Sequence, residues 1–218
     1  MAEIKSFVLD ARGTSPPARP LSPVVRVRFE RAANGVRLSR DGSAFVVSAW
    51  KRVLVTSAHV LRKDDEEVAE GIVVTALDRN GNQVEFRAVS AAYPRDYRDN
   101  DLGVIQVAGE IHAVDPYDTT RVEEDASLRV IGLLNGEVEP REVMVETTFR
   151  APWIRYPNAP TVEGMSGGPV VDAARKVVGV HTGVVEIGGE LCNAGFNLDG
   201  PLLSECMRAS FAILAGDG

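Results

Sequence analysis

Three short segments bring together residue types that can do acid–base and nucleophilic chemistry. Residues 53–60 read Val-Leu-Val-Thr-Ser-Ala-His-Val, an apolar run that passes through small residues into His59. Small neighbours let an imidazole lie close to the backbone, and its ordinary pKa near neutrality suits it to general-base work. Residues 99–105, Asp-Asn-Asp-Leu-Gly-Val-Ile, set Asp101 at the entrance to an apolar run. A carboxylate there is partly withdrawn from water while its oxygens accept a neighbour's N–H. Residues 163–169, Glu-Gly-Met-Ser-Gly-Gly-Pro, place three glycines around Ser166. Glycine permits backbone angles that project the hydroxyl and turn the N–H groups of Gly164 and Ser166 into one pocket. Such a pair can hold an oxyanion, each donor contributing roughly 3 kcal/mol. Each segment alone has a plainer reading: a histidine after a strand, a turn aspartate at a strand start, a glycine-rich hairpin corner.

The elements that would position these residues are short. Apolar, valine-rich runs of strand length occupy 24–29, 44–47, 53–55, 72–74, 84–89 and 103–107. Several alternate with period two, the mark of a pleated strand with one buried face. A second set occupies 128–132, 142–146, 169–171, 177–180 and 194–198. Asn-Gly pairs at 34–35, 80–81 and 135–136 supply hairpin turns. Residues 113–125 are polar, contain Asp115-Pro116, and read as a linker between the two sets. Residues 1–21 lack periodicity and read as an arm. After Pro201, apolar residues at Leu202, Leu203, Met207, Phe211 and Leu214 have helical spacing, which predicts a terminal helix packed on the second set. The expected fold is all-β: a first unit over 22–112 and a second over 126–218.

Composition bounds the partners. The chain has 218 residues, 44% hydrophobic and 25% charged, with a net charge of -7. That acidity argues against nucleic acid or an anionic membrane as the main partner. No apolar run is long enough for a membrane span, and the first residues lack the apolar core of a secretory leader; a cytoplasmic protein is expected. The two cysteines, Cys192 and Cys206, read as reduced thiols, a single bridge being the alternative. The three histidines, His59, His112 and His181, have no ligand spacing with the cysteines, so neither metal nor other cofactor is expected. His112 reads as structural or exposed.

Taken together, the three motifs resemble those of the trypsin-like, chymotrypsin-fold serine peptidases: T-[SA]-A-H, then D-[LI]-[AG]-[LV], then G-x-S-G-G-P. They stand here in that family's order, with Asp101 following His59 by 42 positions and Ser166 following Asp101 by 65. The resemblance covers residue 24 to the C-terminus. It implies two six-stranded antiparallel β-barrels with a C-terminal α-helix, His59 and Asp101 in the first barrel and Ser166 in the second. It also implies roles: Ser166 as nucleophile, His59 as general base and then acid, Asp101 as the group that orients His59, and Gly164 and Ser166 as oxyanion donors. Gly164-Met165-Ser166-Gly167-Gly168 also fits the elbow of α/β-hydrolases, but that fold needs an acid and then a histidine well downstream. Only His181 follows, fifteen positions on.

Departures from the family are informative. Where zymogen-activated members carry an aspartate that pairs with a new N-terminus, this chain has Met165, and the cysteine that commonly follows the histidine is Val60. The oxyanion loop must therefore be ordered another way, and the variant resembles the bacterial or viral branches. The run 177–183 resembles the V-I-G-I-H-x-G strand of glutamyl endopeptidases and the G-x-H segment of picornaviral proteases. There the histidine, here His181, and a threonine five positions before the nucleophile, here Thr161, line the S1 pocket and bind Glu or Gln. Glu163 at the pocket rim and the net charge of -7 tilt that expectation towards Gln. The expected activity is peptide-bond hydrolysis on a protein or peptide substrate, with a co-encoded activating partner left open. The competing expectation is a catalytically silent module of the same fold that binds peptides.

Overall fold

Valine-rich runs bounded by turn residues become fourteen strands among the described residues. Those are 3–8, 23–33, 36–47, 52–62, 71–78, 80–108, 117–121, 127–135, 137, 139–198 and 201–216 of the computed structural model. The first sheet comprises β1 (Ile4–Val8), β2 (Val24–Ala33), β3 (Val36–Val46), β4 (Val53–Thr56), β5 (Val73–Leu77), β6 (Gln83–Pro94) and β7 (Gly103–Val107). Its order is β1-β6-β5-β2-β3-β4-β7, and a further β6–β7 pairing closes β2 to β7 into a six-stranded antiparallel barrel. β6 is long enough to pair with β5 through residues 83–87 and with β1 through residues 90–94. Ile4–Val8, read from sequence as part of a flexible or surface-pinned arm, is a strand of the first sheet.

The second sheet holds β8 (Ser127–Leu133), β9 (Pro140–Glu146), β10 (Thr148–Arg150), β11 (Trp153–Arg155), β12 (Pro169–Val171), β13 (Val177–Ile187) and β14 (Glu190–Asn197). The order is β10-β11-β14-β13-β12-β8-β9. β10 follows β9 after Thr147 alone, so the two ends of this seven-stranded row are joined through the chain. β13 and β14 run past their expected ends into a hairpin at Gly188-Gly189, where both residues have positive φ, the geometry of a two-residue turn.

Strands apolar on both faces explain how the two units meet. In β4, Leu54 enters the core of the first barrel while Val53 and Val55 face an inter-barrel cluster. β3 and β7 divide the same way: Ala44, Val46, Ile105 and Val107 point into the barrel, Phe45 and Val104 to the interface. Period-two alternation feeds two cores at once. The second unit contributes Ile131, Leu133, Val171, Val177, Val180 and Phe196 to that interface. Tyr117, in the segment expected to be a polar linker, is buried there with its ring edge-on to Phe45 at 6.2 Å. His112 and much of that linker lie outside the described residues.

Helix α1 (Pro201–Gly216) corrects one expectation. It lies against β1, β6 and β7 of the first barrel, not on the second. Leu203, Cys206, Met207 and Ser210 form its buried stripe, while Phe211 is exposed. The reason is chemical as well as apolar. Ser210 Oγ meets the buried Ser90 Oγ at 2.6 Å, and Ser90 Oγ also donates to Gln106 Oε1 at 3.2 Å. The polar pair on β6 and β7 selects a helix face with a serine in it. No helix among the described residues is long and apolar enough to cross a membrane.

Candidate active site

His59 lies in a single 3₁₀ turn, Ala58–Leu61, that follows β4. Ser57 and Ala58, both fully buried, lead into it. Asp101 precedes β7, the strand paired with β4, so the register Thr56↔Gly103 sets the carboxylate beside the turn. Asp101 Oδ1 accepts the His59 backbone N–H at 2.9 Å, and Oδ2 lies 2.8 Å from His59 Nδ1. Asp101 is buried and His59 partly exposed. Burial would raise the carboxyl's pKa, but the charge and hydrogen bonds of His59 outweigh it and hold Asp101 below the usual carboxylate range. The pair therefore presents an ionised carboxylate to His59 Nδ1.

Ser166 sits in the loop before β12, half-buried. Its Oγ donates to the Thr182 carbonyl at 3.0 Å. The surrounding backbone is tied almost completely. Glu163 O accepts Asn135 N at 3.3 Å, Gly164 O accepts Ser43 Oγ at 2.8 Å, Met165 O accepts Gly168 N at 3.0 Å and Ser166 O accepts Ser43 N at 2.7 Å. Met165 N donates to Val162 O at 3.2 Å and Gly167 N to His181 O at 2.7 Å. Among the described residues, the Gly164 and Ser166 N–H groups have no hydrogen-bond acceptor. Backbone amides in so closely tied a loop are nearly always paired, so two left over within three residues stand out. Gly164 has φ +95°, and a Cβ there would lie 2.6 Å from Asn135 N; Gly167 has φ +86°, and a Cβ would collide with Ser43 O and Thr56 Oγ1. Glycine is required at both positions by conformation and by space.

Two sequence departures are also explained. Met165, 1% exposed, fills the core of the second barrel and lies against Gly132, where a Cβ would come within 2.7 Å of Met165 Cα. Val60 packs its methyls over Gly42, leaving no room for a Cβ there. Cys192 and Cys206 are both free and buried. Burial, with Glu205 nearby, pushes the Cys206 thiol up to about 12.

His181 lies in β13 and Thr161 in the loop before Ser166. His181 is 1% exposed, and its Nδ1 lies 2.6 Å from the Tyr156 hydroxyl. Burial and the neighbouring His59 lower its pKa to about 3, with the Ala194 backbone and Asp101 opposing. Burial raises the Tyr156 hydroxyl well above its ordinary value, with Cys192 adding to the effect. A phenol that keeps its proton and an imidazole that stays neutral share this hydrogen bond, its donor set by the ring's tautomer. Thr161 Oγ1 meets Asn193 Oδ1 at 2.8 Å, and Asn193 Nδ2 donates to Ala159 O at 3.0 Å. The Ala159 carbonyl fixes which way the Asn193 amide points, so Thr161 must be the donor in its own bond.

Several contributors were not singled out from sequence: Ser43, Thr182, Tyr156 and Asn193. Ser43 had a signal, since a Gly-Ser pair within a strand marks close approach of another backbone. Tyr156 and Asn193 had none, because they act through residues distant in the chain.

Two strand sets meeting at a His–Asp pair, a serine loop and an unpaired pair of amides define the chymotrypsin fold. The chain belongs to the family of the trypsin-like peptidase domain, whose sequence profile matches residues 42–180. No curated protein matches. Among solved structures, the chain is similar to Deg5 (TM-score 0.58, 20% identity, 81% of this chain and 84% of that one). It is also similar to the active form of the Rv3671c protease of M. tuberculosis (0.59, 19%, 93% and 94%). A third is AlgW, an HtrA-type protease, in a structure with a tripeptide (0.57, 20%, 88% and 60%). At these identities the likeness concerns the fold.

Proposed function

We propose that this serine protease cleaves peptide bonds through an acyl-enzyme on Ser166, with a preference for Gln over Glu at P1. Ser166 Oγ attacks the scissile carbonyl carbon while His59 takes its proton, and Asp101 stabilises the imidazolium. The oxyanion settles on the N–H groups of Gly164 and Ser166. His59 then gives its proton to the leaving amine as the C–N bond breaks, and a water molecule, activated by the same imidazole, releases the acyl group.

The observation that carries the P1 reading is the direction of the Thr161 hydrogen bond beside a neutral His181. Thr161 spends its donor on Asn193 and has only acceptor capacity left, and the neutral His181 ring carries one N–H. A carboxamide, with one acceptor and one donor group, matches that pair. A carboxylate offers acceptors alone and would be an unpaired charge opposite a neutral ring. The two free thiols fit a reducing compartment, in line with the cytoplasmic expectation. A second reading, a silent peptide-binding module, draws on Ser166 Oγ donating to Thr182 O. A one-bond rotation about the side chain redirects that hydroxyl, and apo hydrogen bonds of catalytic groups are often incomplete.

A fluorogenic library varied at P1 tests the specificity. The expected result is highest kcat/KM after Gln, with Glu roughly 10-fold or more weaker. Cleavage confined to Lys, Arg or large aromatic P1 residues would overturn it.

A further inference from the structure

We infer that Ser43 is the positioning residue that locks the oxyanion loop in its donor-presenting form, an inference that rests on the serine-peptidase reading above. Ser43 lies in β3 of the first barrel and has no exposed surface. Three of its hydrogen bonds cross to the second barrel. Its N–H donates to Ser166 O at 2.7 Å, its Oγ donates to Gly164 O at 2.8 Å, and its Oγ accepts Leu133 N–H at 2.8 Å. Its own carbonyl is anchored within the first barrel by Thr56 Oγ1 at 2.7 Å.

Peptide planarity turns these contacts into control of direction. In a trans peptide the N–H points opposite the carbonyl of the preceding residue. Glu163 O is held by Asn135 N, which aims the Gly164 N–H away from it; Met165 O is held by Gly168 N, which aims the Ser166 N–H. The two remaining carbonyls of the loop, Gly164 O and Ser166 O, belong to the adjoining peptides, and both are held by Ser43. These two peptides alternate with the donor-bearing ones, so holding them fixes the backbone on which both donors ride. The position that carries an aspartate in zymogen-type members is Met165, whose side chain is buried in the second core. It offers no ion pair to order the loop, so the ordering passes to the first barrel through one hydroxyl and one amide of Ser43. Leu133 N shares that hydroxyl, so β8 and the loop are held to a common point.

Ser43→Ala removes the hydroxyl and keeps the backbone amide. The wild type, Ser43→Ala and a control, Ser90→Ala, which also loses buried serine hydrogen bonds but far from Ser166, are compared on the peptide the wild type cleaves best. Three quantities are read: kcat and KM, affinity for a peptide boronic acid that forms a tetrahedral adduct, and affinity for a non-covalent product peptide. The expected result for Ser43→Ala is kcat lowered roughly 10- to 100-fold with KM within about 3-fold. Boronate affinity falls with kcat, product-peptide affinity stays, and Ser90→Ala keeps its kcat. If Ser43→Ala does not fold, Ser43→Cys, similar in size but a weaker donor, carries the same readouts. Unchanged kcat and boronate affinity in an active enzyme overturn the role of Ser43 alone. A wild type that neither cleaves peptides nor binds boronate overturns the peptidase reading and this inference with it.

Discussion

Asp101 shows what a single buried residue can do and what removing half of it should cost. Its two oxygens take the backbone and the ring of the same histidine. Replacing it with Asn keeps the shape but puts an N–H donor where an acceptor stood, which favours the wrong tautomer of His59. Asp101→Asn should lower kcat roughly 10³- to 10⁴-fold with KM within a few-fold. Steady-state kinetics on a P1 Gln peptide checks this; a loss under about 10-fold would mean that His59 does not depend on Asp101. The three motif residues stood out in sequence because the roles proposed for them each demand particular neighbours: small residues before His59, an apolar strand after Asp101, glycines around Ser166. Their supports were not legible. Ser43 and Thr182 act through backbone atoms of residues far along the chain, and such bonds leave little trace in local sequence.

At the scale of elements, β3 and the 3₁₀ turn interlock where other family members are expected to carry a disulfide. Val60 covers Gly42 so closely that a Cβ at Gly42 would lie 2.7 Å from one Val60 methyl and 3.2 Å from Ser166 O. Gly42→Ala should therefore destabilise the fold by roughly 1–3 kcal/mol by overpacking. Val60→Ala removes one of the colliding groups, so the double variant should be more stable than the two single losses predict, by about 1 kcal/mol. Denaturant unfolding of the four proteins measures the coupling, and strict additivity would contradict it. The helix teaches a different lesson. Its existence was readable from apolar spacing after Pro201, but its partner was not. A stripe read as Leu203, Met207 and Phe211 points equally well at any apolar surface. The buried stripe instead includes Cys206 and Ser210 and leaves Phe211 exposed, because Ser90 and Gln106 on the first barrel offer polar partners. The β13–β14 hairpin had its signal in Gly188-Gly189, yet its strands alternate without strong hydrophobicity and were read short.

The whole molecule is two barrels joined by an apolar seam and a few buried hydrogen bonds across it, those of Ser43 and the 2.9 Å bond from Ser57 Oγ to His181 O among them. The double alternation of Val53–Thr56 and its neighbours was visible in sequence as continuous apolar runs, but which face met which core depended on register. This architecture buries His181 as a neutral base, and that has a pH consequence. Its folded pKa, about 3, lies below the ordinary 6.5, so between those values the unfolded chain binds the extra proton and stability falls as pH falls. The full effect approaches roughly 5 kcal/mol at the acid end of that window. Asp101 acts in the same direction at lower pH: its folded pKa is depressed, so its contribution is present above the unfolded value and is lost as pH drops through the folded one. The melting temperature of the wild type should decline steeply from pH 6.5 towards 4, and that of His181→Gln should decline less. Parallel curves for the two proteins would contradict the assignment.

The proposed function requires Ser166 to be an activated nucleophile beside a formed oxyanion site. A fluorophosphonate reacts covalently with such a serine and leaves a mass adduct on the intact protein. The expected result is stoichiometric labelling of the wild type, mapped to the peptide that holds Ser166, none of Ser166→Ala, and labelling slowed by orders of magnitude in His59→Ala. An unlabelled wild type, or equal labelling of Ser166→Ala, would contradict it.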